Sequence, residues 1–315
     1  MPERLFLFLQ LEFPWELGPP DGRYLLRARE ADGPPNARPD AELESGEPEH
    51  VVVLNTLGAP RRAGTGRGSI TLPGAGSRAR RSRETTPDPA PVSTSRATVI
   101  DPVSVSAERQ AQAWLAGIDA ERETLAATAV LNRVLFAHRI ATADPHTHEV
   151  APAQALVVRA GWGEGEQLAD GHFQHALELP WVSSERSQRR AAALRPQERL
   201  AELLGARTEE LLCEELALRA RLDLDHGRLA LATIELDAAL DAAREELDEK
   251  THPALAPRVD ELRALHEGVA VTAQAALGDT TSEDALAPDE ETVRHALERL
   301  EAALRARTAG GFTRG

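Results

Sequence analysis

The chain has 315 residues, 42% hydrophobic and 28% charged but only 3% aromatic, so its interior has to be built chiefly from Leu, Ala and Val. Its formal charge of −15 repels a polyanion at long range and argues against nucleic-acid binding by the whole surface. The single cysteine, Cys213, excludes an internal disulfide and a four-thiolate zinc site and suits a reducing, cytoplasmic setting.

Residues Leu5 to Leu9 are all apolar and then alternate with Gln10 and Glu12, which predicts a strand rather than a secretory leader. Turn chemistry at 18–22 leads to a second predicted strand from Arg23 to Glu30, and Val51 to Leu54 predict a third. Three strands leave an apolar face, so this β-rich segment, residues 1–58, is expected to pack on later helices or on another chain, or to complete a sheet with segments near Ala97 and Leu156.

Residues 59–96 are rich in Gly, Ser, Thr, Pro and Arg and carry net positive charge between acidic flanks. So little apolar surface does not offset the entropy of ordering, and a disordered basic linker is expected. Its seven arginines between Arg61 and Arg83 include the pairs Arg61-Arg62 and Arg80-Arg81, candidate contacts for an anionic partner such as RNA or a lipid surface. The acidic C-terminal region of the same chain competes for that role.

From residue 97 to 315 a mainly helical domain is expected. Ala97 to Val105 would supply one more strand, confined to an edge or broken by Pro102. Ser106 caps a predicted helix running through Leu115, Leu125 and Leu135 to Ile140, stopped by Asp144-Pro145. Residues 144–180 read as a Gly- and His-rich loop region, in which Val157-Val158 suit either a strand or a helical turn. Gly161, Gly163 and Gly165 then form a turn holding Trp162 against the core. They do not match a dinucleotide loop, because the third glycine comes one residue early and Glu164 and Glu166 sit where phosphate would lie.

Helical hairpins are expected over 196–307. Pro196 opens the first, Leu200, Leu203, Leu204, Leu211, Leu212 and Leu216 carry its apolar stripe, and Asp225-His226-Gly227 divides it. Helices from about Pro257 to Leu277 and from Pro288 to about Arg307 follow, with a fraying Gly310-Gly311 tail. Residues 216–239 resemble one tetratricopeptide repeat, with Leu216, Ala220, Gly227, Ala232, Leu236 and Ala239 at its packing positions. Asp223 replaces the usual aromatic, Arg244 stands where the closing proline belongs, and no copy lies 34 residues away, so the resemblance implies a single antiparallel hairpin. The fold class is α+β, a small antiparallel β-rich segment followed by antiparallel helices.

Five of the ten histidines, His138, His146, His148, His172 and His175, crowd one stretch with Asp144, Glu149 and Asp170, all donors that zinc or iron accepts. His146 and His148, with His172 and His175, are the candidate metal ligands. Their spacing matches no recognised site, and histidines in a polar loop need no metal. No motif names a nucleophile, a general base or a phosphate loop. The leading expectation is therefore a non-catalytic interaction or scaffold protein whose helical region meets a protein partner or a second copy. A metal-binding protein or metal-dependent enzyme using the histidine-rich stretch 138–175, and a regulator contacting an anionic partner through the basic linker, are the alternatives.

Overall fold

The computed structural model describes residues 4–27, 48–58, 93–173, 175–181, 194–247, 253–278 and 289–311. The chain divides into two compact units, 1–182 and 183–315. Most of the basic stretch, including Arg61, Arg62, Arg80 and Arg81, lies outside the described residues.

The first unit is built on one antiparallel sheet of six strands in the order β2-β3-β4-β1-β5-β6. These are β1 Leu5–Phe13, β2 Gly22–Leu26, β3 His50–Leu57, β4 Thr94–Ile100, β5 Val157–Glu164 and β6 His175–Glu178. The β-rich part is therefore not confined to residues 1–58, and β4 begins at Thr94, inside the span 59–96 expected to be a disordered linker, because Ser95 and Arg96 already pair with β1 and β3. The all-apolar opening of β1 makes this necessary, because a strand apolar on both faces needs a neighbour on each edge and cover on each side. β4 and β5 are those neighbours, pairing Leu9 with Val99 and Leu7 with Trp162. β4 is thus interior, and it ends at Ile100 just before Pro102, which has no N–H to give to a ladder.

Alternation divides β1 cleanly. Leu5, Leu7, Leu9, Leu11 and Phe13 point to one face, where α2 (Ala120–Thr142) lays Ala127, Val130, Leu131, Val134 and Leu135 across Leu9, Leu11 and Phe13. At about 1.5–3 kcal/mol for each fully buried large apolar side chain, this face is the main stabilising contact of the unit. The shorter α1, Glu108–Ala116, brings Ala111 to Leu5, Leu7 and Trp162. One continuous helix is expected across this region, but the chain breaks at Gly117 and restarts on Asp119, whose carboxylate accepts the main-chain N–H of Arg122 at 3.1 Å. Inside α2, buried Asn132 pairs its amide with both main-chain groups of Val150 at 2.8 Å, so the polar residue is satisfied.

The segment 161–165 is the largest departure from expectation. Gly161 and Gly163 lie inside β5 and form no loop. They are needed there because a Cβ on Gly161 would stand 2.3 Å from the carbonyl oxygen of His175 and 2.9 Å from the Phe8 ring, and one on Gly163 3.3 Å from Leu168. The turn comes at Gly165, where φ is +60°, and a 3-10 helix, Glu166–Asp170, folds back so that Leu168 covers Phe8, Val51 and Ile100 on the second face.

The second unit contains α3 Pro196–Leu204, α4 Leu212–Asp225, α5 Leu229–Glu246, α6 Ala256–Leu277 and α7 Glu290–Gly311. Gly227, at φ +69°, turns α4 into α5. Glu246 at the end of α5 reaches the start of α4, which makes the pair antiparallel. Ala220, Ala232 and Ala239 are fully buried between the helices, as small residues at a close crossing should be. No helix among the described residues is long and apolar enough to cross a membrane.

Candidate functional site

The histidine-rich stretch is spread over four structural settings, the first of them the last turns of α2, where His138 lies. His146 and His148 are exposed in the loop after α2. There the carboxylate of Asp144 accepts the main-chain N–H of His146 at 2.9 Å and the Thr147 hydroxyl at 3.3 Å, so it shapes the loop. The main-chain bond from His146 is the chief reason the Asp144 carboxyl sits below its ordinary value. His172 is exposed in the turn before β6. His175, on β6, stacks on Trp162 with ring centroids 4.5 Å apart, and its Nε2 lies 3.8 Å from Glu108. Among the described residues no group of three His, Cys, Asp or Glu side chains is placed to hold a metal ion.

A polar cluster that strand patterning does not reveal occupies the second face of the sheet. Oε1 of Glu12 accepts from Nε and Nη2 of Arg96 at 3.1 and 3.0 Å and from Nη1 of Arg159 at 2.9 Å. The three come from neighbouring strands β1, β4 and β5 and are all mostly covered, Glu12 being 18% exposed. Beside them Gln10 and Thr98 are buried and bonded to each other at 3.0 Å. One carboxylate between two guanidiniums makes a cross-strand clamp, and that carboxylate is engaged in holding strands together.

The helical unit offers a different feature. None of the residues of α3 is buried, although Leu200, Leu203 and Leu204 share one of its faces at the i, i+3, i+4 spacing. Leu204 is 80% exposed and Leu200 50%. Arg199 holds the helix to α4 by donating to Glu214 at 3.1 Å and to the segment between the two helices by donating to Thr208 at 3.0 Å. On α4, Leu218 and Leu222 are also exposed, opposite the face that buries Cys213, Ala217, Ala220 and Leu224. The stripe read from the sequence is thus only partly inward: Leu211 and Leu216 pack on the core, whereas Leu200, Leu204 and Leu212 face outward. Large leucines crowd both sides of these helices, so periodicity alone does not say which side meets a neighbour.

Two buried polar arrangements sit inside the same unit. Cys213 is bonded to Glu246; burial chiefly, with that carboxylate adding to it, pushes the thiol well above its ordinary value, so it is a structural and unreactive group. Asp223, where the repeat resemblance would have an aromatic, is buried and takes Arg228, with Glu235 of α5 beside it. No family model matches this chain, and neither a curated protein nor a solved structure matches it.

Proposed function

We propose that the protein is a non-catalytic interaction protein whose helical unit grips a protein partner, or a second copy, through the leucines of α3. The observation that carries this reading is a helix with no buried residue and three leucines on one face. Isolated exposed leucines are ordinary, but an amphipathic helix of nine residues is too short to persist by its own propensity. Seating its face in a groove of a partner supplies the burial it lacks, and the i, i+3, i+4 anchors are those of helix-in-groove recognition. Leu218 and Leu222 add a second exposed pair on α4.

The test is sedimentation velocity of the full chain over a wide concentration range, together with capture of partners from lysate, on native protein and on Leu200→Ser/Leu204→Ser. Because both leucines are exposed, the variant should keep its circular dichroism and thermal midpoint while losing the association. A native chain that stays monomeric and captures nothing, or a variant that associates as well as the native chain, would sink the reading.

A further inference from the structure

The α4–α5 hairpin brings together two carboxyl groups from different helices, one buried and one half-buried. Asp223, in the last turn of α4, is buried, and its Oδ1 accepts from Nε of Arg228, the residue before α5. Glu235, two turns into α5, lies within hydrogen-bond reach of Asp223, and its Oε2 is shut off from solvent with no donor against it. Two ionised carboxylates at this distance repel and have no hydrogen to share. With one proton between them they form a charge-assisted O–H···O bond.

The surrounding charges do not remove that conflict. Arg219 of α4, paired with Glu215 at 2.9 Å, and Arg228 before α5, bonded to Asp223, both favour the ionised form of Glu235, but less than burial and Asp223 oppose it. From α6, His266 turns to Asp237 at 3.0 Å and Asp241 at 3.7 Å, on another side of α5. From α7, Glu301 takes Arg221, and Arg294 acts on Asp225. Burial first, and then Asp223, lift the Glu235 carboxyl from 4.5 to about 7.

We propose that Asp223 and Glu235 form a proton-operated latch, which ties α4 to α5 while they share a proton and loosens the hairpin when that proton leaves. A carboxyl that binds its proton more tightly when folded favours the fold at low pH. The contribution is complete below the ordinary Glu value of 4.5 and is lost as pH rises through about 7. This inference does not depend on what the leucine face binds.

The experiment compares urea midpoints of the native full chain and Glu235→Gln from mildly acid to mildly alkaline pH. Gln keeps the shape and gives Asp223 an N–H that does not titrate. Relative to Glu235→Gln, the native midpoint should fall as pH rises from about 4.5 to about 7 and run level above neutrality, the histidines being common to both. Parallel curves would overturn the latch. Carboxyl carbon NMR of the native chain decides independently, even if Glu235→Gln fails to fold: a Glu235 midpoint near 7 supports the latch and one near 4.5 overturns it.

Discussion

The carboxylate of Glu246, the last residue of α5, accepts the main-chain N–H of Cys213 at 2.9 Å and so caps the first turn of α4. Its other oxygen takes the N–H of Leu212 at 3.0 Å, so one side chain satisfies two of the donors that a helix start leaves open. Negative charge is favourable at that end of α4. Burial works to raise the Glu246 carboxyl, but the bonds from Cys213 and Leu212 outweigh it and hold it below its ordinary value. Glu246→Ala should therefore lower stability by about 1–2 kcal/mol, the range of a lost N-cap, and Glu246→Gln by less. The native advantage over Glu246→Ala is complete above the ordinary Glu value and should shrink as pH falls through the lower folded value. Urea unfolding at a series of pH values measures both effects, and an unchanged midpoint in Glu246→Ala would show that the cap contributes nothing.

The Cys213 thiol should behave as a reporter of unfolding. It is buried, and both burial and Glu246 disfavour its thiolate. At mildly alkaline pH an alkylating reagent should label it only as fast as the α4–α5 packing opens, so labelling should become independent of reagent concentration once the reagent is abundant. Labelling at the rate of a free thiol in native buffer would contradict this placement.

Gly161 and Gly163 should differ in their tolerance of a methyl group. Gly161→Ala forces the carbonyl of His175 and the Phe8 ring aside, an overpacking change of about 1–3 kcal/mol, whereas Gly163→Ala meets its neighbours at 3.3 Å and should be milder. Displacing β6 also separates His175 from Trp162, so tryptophan fluorescence should change in Gly161→Ala. The reverse order of the two stabilities would disprove the packing account.

The clamp on the second face of the sheet lends itself to a double-mutant cycle. Glu12→Ala leaves the guanidiniums of Arg96 and Arg159 close together without their shared acceptor and should cost about 1.5–3 kcal/mol, the range for hydrogen bonds to charged groups. Arg159→Ala should then be less damaging in the Glu12→Ala background than in the native chain. Additive effects in chemical denaturation would mean that the carboxylate is not coupled to Arg159.

Much of the architecture is legible in the sequence because it rests on rules that act over a few residues. Pro196 and Pro257 mark helix starts, and Gly227 turns α4 into α5. The small residues of the repeat-like hairpin, Ala220, Ala232 and Ala239, are fully buried. Alternation from Leu9 to Phe13 marks the side of β1 that meets α2. Tertiary structure decided the rest. Glycines that read as a loop became a strand because Phe8 and the returning β6 need their space. Leu200 and Leu204 share the periodicity of a core face yet lie exposed, since a helix's pattern gives a direction but not a neighbour. Histidines close in sequence lie in separate settings, while Glu12 meets Arg96 and Arg159 across separations of 84 and 147 positions. The physical reason is common to all three: propensity and capping are local, but strand register, the choice of buried face and the pairing of charges depend on segments that meet only when the chain has folded.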